Sequence, residues 1–335
     1  MWLTEGNHIN KAKMALNNLQ VLRAFAALNV VYFHIIVAAK SYSQPVYFFS
    51  IFEGWGENGV DIFFVISGFV IVYTQSVREK NALDFLKRRI LRIVPIYWFL
   101  TICLLLLYLA LPSAFREYKP DLTQTVYSFL FLSGSVTSTL PLLLVGWTLE
   151  YEMLFYVLFC IGILLGKKLT PIIFSTAVLS ILVITGLIGL IAIEFILGML
   201  CAKLYLSGVL KKLAISFLIV ALGWFVATIF FKIGVDRLFL YGVPSFILIF
   251  ALAHIRQAQN KLLIYLGDAS YSIYLVQFFT IFAFYKASSE LFPTLNGDLL
   301  SILALIASGG FGCFFYQFIE KPLVNYLKDK VFSQS

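Results

Sequence analysis

Apolar runs of about 20 residues recur along the whole of this chain, each with few charges and each long enough to cross a hydrocarbon core of roughly 30 Å as a helix. In hydrocarbon the backbone amides must be satisfied inside the segment itself, so continuous apolar runs of this length leave the helix as their only stable form. We place ten, at about 19–40, 57–76, 91–112, 141–166, 170–186, 188–206, 212–231, 237–255, 262–285 and 298–319. Composition agrees: 61% of the residues are apolar and 13% charged, a balance no water-soluble core of 335 residues requires. The expectation is an all-α, polytopic membrane helical bundle of about ten transmembrane helices. Its single membrane domain covers 19–322, between short tails at 1–18 and 323–335. Only "GLIGL" separates the fifth and sixth runs, and one broken helix fits them equally. "DLTQTVYSFLFLSG", 121–134, is too short to span and is expected at the interface or re-entering the membrane.

Charge sets the orientation, because short cytoplasmic loops retain Lys and Arg. With the N-terminus inside, the inner segments collect about 18 basic residues and the outer loops about six, a bias that persists through every alternation. Both termini are therefore expected in the cytoplasm. The net charge of +8 is spent on topology and does not point to nucleic acid. The first apolar run follows a polar stretch and carries Arg23, Asn29 and His34, so it reads as a retained span and not as a cleaved leader. Cys103, Cys160, Cys201 and Cys313 lie singly in apolar runs without metal-ligand spacing and read as small core residues; no metal is expected.

Ionisable groups inside such runs are costly, and each invites a reason. In "LRAFAALNVVYFH", Arg23 and His34 are eleven residues apart, about 1100° of helical turn, so they share one face at roughly 16 Å separation. Taken alone, Arg23 fits an interfacial anchor and His34 a buried imidazole bonded to a neighbouring helix; together they suggest a polar cavity opening to the cytoplasm. "GENGVDIFFVISGF" offers Gly59, Ser67 and Gly68 for close helix approach, with Asp61 near the outer surface. "FLKRRILRIVPIYW" places Arg88, Arg89 and Arg92 at the inner boundary, either as topology signals or as a guanidinium site for phosphates. "GWTLEYEMLFY" puts two carboxylates in one helix, Glu150 and Glu152, about 200° apart, so that they cannot face one cavity. Glu152 falls at a depth comparable with His34, which makes an imidazole an attractive partner for it. Glu194 is a further intramembrane acid, equally a support or a site. In "GDASYSIYLVQ", Asp268, Tyr271, Tyr274 and Gln277 recur every third residue as one polar stripe, lining a cavity or sealing a helix seam. His8 and His254, in the tail and at a boundary, carry no functional reading.

With these residues in view, the chain resembles the acyltransferase-3 family of integral-membrane O-acyltransferases, which modify bacterial surface and exported glycans. The resemblance runs from about 19 to 322. It rests on Arg23 and His34 at their spacing, on "GVDIFFVISGF", "RRILRIVPIYW", "WTLEYE" with Glu152 at the acidic position, "SYSIYL", and "EKP" at 320–322. Where many relatives have His after "SYSxYLx", this chain has Gln277, which leaves His34 as its mid-membrane imidazole.

The resemblance implies transfer of an acyl group, usually acetyl from acetyl-CoA, to a sugar hydroxyl, in the inner membrane of a bacterium. On that reading His34 is the catalytic imidazole, Arg23 orients the donor and Glu152 fixes the imidazole's tautomer or steadies its cation. Arg88, Arg89 and Arg92 hold the phosphates of coenzyme A, and Asp61, Ser67, Asp268, Tyr271, Tyr274 and Gln277 are assigned to the acceptor. No permanently bound cofactor is expected, with acetyl-CoA as acyl donor. The partners implied are a glycan or lipid-linked glycan acceptor, membrane lipid and other polysaccharide-assembly proteins. No appended hydrolase-like domain is evident, so either the chain delivers acetyl directly or a separate protein completes the transfer. The competing class is a glycan or lipid transporter, in which buried charges would line a path; no second copy of any motif favours it.

Overall fold

In the computed structural model, residues 16–79, 81–112, 120–134, 139–166, 168–231 and 233–333 are described, and among them every regular element is a helix. The polar N-terminal tail up to residue 15, with His8, lies outside the described residues. In chain order the helices are α1 Asn17–Ser41, α2 Asn58–Val77, α3 Ala82–Ala110, α4 Leu122–Leu130, α5 Trp147–Leu165, α6 Thr170–Ile184, α7 Ile193–Ser207, α8 Ala214–Phe230, α9 Val243–His254, α10 Lys261–Asp268, α11 Ser270–Leu291, α12 Gly297–Phe315 and α13 Lys321–Phe332.

Among the described residues, seven helical stretches are long and apolar enough to cross a membrane, and an eighth if α10 and α11 are taken as one span. The two remaining apolar runs fold as shorter helices, Thr170–Ile184 and Leu238–His254. The chain is thus an all-helical, multi-pass membrane protein. The fifth and sixth runs are separate helices: α6 ends at Ile184, Gly186 turns through a left-handed φ of 73°, and a short turn at Leu190–Ala192 leads into α7. The 121–134 stretch gives only the nine residues of α4, capped by Asp121 accepting from Gln124 N at 2.6 Å.

Three boundaries differ from the sequence expectation. Helix α3 begins at Ala82, with Asp84 in its first turn, so Arg88 and Arg89 lie inside the same helix as Arg92 and not in a loop before it. The ninth run is interrupted at Ala269, between α10 and α11. The last helix does not stop near 319: it passes through a π turn at Tyr316–Glu320 into α13, so most of the expected C-terminal tail is helical.

The helices fall into two compact units. The first holds residues up to Ala26, Glu57–Ala82 and Ile161–Asp268. Its centre is the crossing of α2 on α7, where Phe64 stacks on Phe195 with ring centroids 4.5 Å apart. The backbones approach so closely that a Cβ at Gly68 would fall 2.2 Å from the Phe195 carbonyl oxygen, and one at Gly198 would fall 2.1 Å from that of Val65. The second unit holds Ala27–Gly56, Leu83–Cys160 and residues from Ala269 onward. There α11 packs along α12, with Gly312 against Ile273, and α3 packs on α5 through Phe85, Tyr156 and Phe159.

Candidate functional site

Most of the polar residues singled out in the sequence gather in the second unit. His34, half-buried on α1, has its Nδ1 3.0 Å from the Val30 carbonyl oxygen and 3.1 Å from Gln277 Oε1. The orientation of that amide follows from its other end, since Gln277 Nε2 donates to the Tyr274 carbonyl at 2.7 Å and must therefore turn Oε1 toward the imidazole. Both neighbours of Nδ1 are acceptors, so the hydrogen-bond network assigns the proton to Nδ1 and leaves the lone pair on Nε2. Gln277 is 1% exposed, and a buried amide satisfied at both ends is held in one orientation. The network continues outward: the Tyr274 hydroxyl donates to the Val145 carbonyl and meets Thr148 Oγ1, each at 2.8 Å. Tyr274 is thus held at both ends, its backbone carbonyl by Gln277 and its hydroxyl by the entry to α5.

The sequence reading paired Glu152 with His34, to fix the imidazole's tautomer or steady its cation; the structure places Gln277 Oε1 at His34 Nδ1. Glu152 is instead engaged one helical turn away, where it accepts from the Tyr156 hydroxyl. The Arg89 guanidinium lies 5.6 Å from the Tyr156 ring centroid and 5.7 Å from that of Phe85, within electrostatic reach of Glu152 and Arg92. A guanidinium beside two aromatic rings and near a carboxylate is held in its direction. Tyr271 donates to the Ile93 carbonyl at 2.8 Å and lies among Glu152, Glu320 and Arg92. Glu150 points elsewhere, as its 200° offset requires, and accepts from the backbone N–H groups of Ser133 and Gly134 at 2.9 Å each. It is a support for the segment after α4.

The polar stripe of the ninth run is split. Tyr271, Tyr274 and Gln277 stay together on α11, whereas Asp268 ends α10 in the first unit and accepts from Gln20 Nε2 at 2.9 Å. Gly267 explains the tight fit there, since a Cβ would lie 2.1 Å from the Gln20 carbonyl oxygen. Arg23 also belongs to the first unit and donates to Gln20 Oε1 at 3.0 Å.

Asp61 was expected to face an acceptor, but it is fully buried and gripped by Arg237, with Nε to Oδ1 at 3.0 Å and Nη2 to Oδ2 at 2.8 Å. Arg237 Nη1 also reaches Glu57 Oε2 at 2.9 Å, and the fully buried Glu194 lies in the field of Asp61. The pairing ties α2 to the start of the Leu238–Gly242 turn as a structural clasp, with Glu194 of α7 buried beside it. Ser67 is half-buried on α2. His254 Nδ1 donates to the Phe250 carbonyl, 2.9 Å away, and the ring packs edge-on against Tyr205.

Residues that the sequence reading missed are Thr148, Tyr156, Ser272, Glu320 and Lys328 in the second unit and Gln20 and Arg237 in the first. Ser272 donates to Glu320, whose only sequence signal was its place in "EKP".

Comparison with known proteins adds two findings. The profile of a family described as an acyltransferase domain matches residues 16–318. The exopolysaccharide production protein ExoZ of Rhizobium meliloti (strain 1021) is 38% identical over 107 residues, which are 31% of this chain and 33% of that protein. The chain thus aligns with about a third of the length of this curated relative. No solved structure matches the chain significantly.

Proposed function

The chain belongs to the acyltransferase family whose profile spans residues 16–318, and from that premise we propose that it acylates a hydroxyl of an exported or cell-surface polysaccharide, or of its lipid-linked precursor. The acyl group is acetyl, the donor is acetyl-CoA, and the protein works in the bacterial inner membrane with both termini in the cytoplasm. Support for a glycan acceptor comes from the exopolysaccharide production protein that shares 38% identity over part of its length. The family match favours acyl transfer over transport of a glycan or lipid.

The observation that carries the mechanism is the bonding of His34. With Nδ1 committed to Val30 and Gln277, Nε2 is the atom available to take a proton. A sugar hydroxyl is too weak an acid to ionise unaided, and an imidazole titrating near 6.5 is a suitable base. Nε2 removes the hydroxyl proton as the oxygen attacks the thioester carbonyl. The C–S bond then breaks and the imidazolium returns the proton to the departing thiolate, giving an ester and free coenzyme A. Gln277 holds the ring so that no tautomer exchange is needed before attack. Arg89 and Arg92, with Arg88, take the donor's phosphates, and Glu152 with Tyr156 keeps Arg89 aligned. The hydroxyls of Tyr271 and Tyr274, being donated to backbone carbonyls, offer their lone pairs to the acceptor.

The test is glycan mass spectrometry on cells with and without the gene, paired with transfer from isotopically labelled acetyl-CoA by the purified protein. A product heavier by one labelled acetyl group is expected. Label found in no glycan, with a glycan identical in both strains, would remove this reading.

A further inference from the structure

Helix α13 presents a lysine on the wrong side for a solvated tail. Val324, Leu327, Lys328 and Val331 follow the i, i+3, i+4, i+7 spacing of one helix face, and all four are buried or half-buried, while Asn325, Tyr326, Asp329 and Lys330 are exposed. Lys328 therefore lies in the inward stripe. What it meets there is like charge: Arg92 and Arg88 are both within its electrostatic reach, with Glu320 as the acid nearby. Phe332, one turn further along α13, lies under the Arg88 guanidinium at 4.0 Å from Cζ to ring centroid. Among the described residues, Arg88 Nε is buried without a hydrogen-bond partner, and Arg88, Arg92 and Lys328 have no carboxylate within 4.0 Å. Lys328 thus lies with two guanidiniums against a single carboxylate in its field, that carboxylate itself bonded to Ser272, an arrangement that an anion would complete.

We propose that α13 closes a phosphate-binding site in which Lys328 joins Arg88 and Arg92 on the phosphates of the acyl donor, with Phe332 holding the Arg88 guanidinium in place. The inference rests on the acyl-CoA reading above and extends it to a helix beyond the matched residues 16–318. Two planar guanidiniums and one ammonium suit a ligand bearing both a diphosphate and a separate phosphate ester, as coenzyme A does. The headgroup of an anionic lipid has the same phosphate chemistry, and the experiment separates the two.

The full chain is placed in nanodiscs of neutral lipid, and in parallel discs containing phosphatidylglycerol, and titrated with coenzyme A and with pantetheine, which lacks every phosphate. In Lys328→Met, which keeps the aliphatic stem, the affinity ratio of coenzyme A to pantetheine should fall about tenfold in both lipids, and Lys328→Arg should restore it. A ratio equal to that of the wild type overturns the proposal. Loss confined to the phosphatidylglycerol discs also overturns it, assigning Lys328 to a lipid headgroup. If the wild type itself does not prefer coenzyme A to pantetheine, the acyl-CoA reading is what has failed, a result distinct from either.

Discussion

Gln277 and His34 meet across 243 positions of sequence, the amide Oε1 3.1 Å from the imidazole Nδ1. A carboxamide is not a base near neutral pH and its Oε1 can only accept, so this contact holds the proton on Nδ1. Gln277→Leu removes the acceptor at similar volume and leaves Nδ1 with the Val30 carbonyl alone. We expect kcat to fall about tenfold to a hundredfold, the cost of about 1–3 kcal/mol for a disrupted buried hydrogen bond, with the KM for acetyl-CoA little changed. Steady-state kinetics on the purified protein decide this; a raised KM at constant kcat would make Gln277 a binding residue instead.

His34→Ala should abolish acylation of the glycan while the protein accumulates in the membrane at its normal level. The side chain is half-buried and its loss removes one hydrogen bond to α11, a modest structural change beside the loss of the only base in the proposed mechanism. Immunoblots of membrane fractions and glycan analysis measure the two separately. Near-normal transfer by this variant would leave His34 a helix-packing residue.

Glu152 acts at one remove. It accepts from Tyr156 and lies in the field of Arg89, so Glu152→Gln keeps the shape but weakens the hold on the guanidinium. A loss of about tenfold or more in kcat/KM for acetyl-CoA is expected, and a smaller loss for Tyr156→Phe, which removes one hydroxyl and leaves the ring under Arg89. Were Glu152→Gln to alter the pH dependence of kcat but not donor affinity, the carboxylate would belong with His34 and not with Arg89.

The sequence made some of this legible and not the rest, for physical reasons. Polar residues in apolar runs announce themselves because lipid penalises them, and His34, Glu152, Tyr271, Tyr274 and Gln277 stand out in the sequence for that reason. Their pairing was harder. Depth alone matched Glu152 to His34, but an equal depth is shared by every helix in a bundle, and the actual partner came from α11. The clasp of Arg237 on Asp61 joins residues 176 positions apart, and in the sequence Arg237 is only a loop cation. The helices were legible as apolar runs, yet α13 was not, because its inward stripe is short and holds a lysine.

Orientation rests on the Lys and Arg bias and can be tested directly. Reporter fusions after Gly208 and after Lys330 should both report cytoplasm. A periplasmic signal at Lys330 with a cytoplasmic one at Gly208 would place the error after α7, where Leu238–His254 is short for a span.

The crossing of α2 on α7 gives a prediction about stability that does not depend on function. A Cβ at Gly198 would lie 2.1 Å from the Val65 carbonyl oxygen, 2.8 Å from Phe69 N and 2.9 Å from Gly68 Cα. All three are backbone atoms, which cannot swing aside as a side chain can, so even Gly198→Ala must push the two helices apart. That separation would loosen the stacking of Phe64 on Phe195 and disturb the neighbouring grip of Arg237 on Asp61. We expect destabilisation of about 1–3 kcal/mol, the usual cost of overpacking, seen as a lowered thermal unfolding midpoint in detergent. Gly223→Ala on α8 is the matched control, because a Cβ there has nothing within 4 Å and the substitution should be neutral or mildly stabilising. Since Gly68 and Gly198 meet at one contact, the double alanine variant should lose less than the two single losses added together. Equal midpoints for Gly198→Ala and Gly223→Ala would mean that the helices do not approach as closely as described.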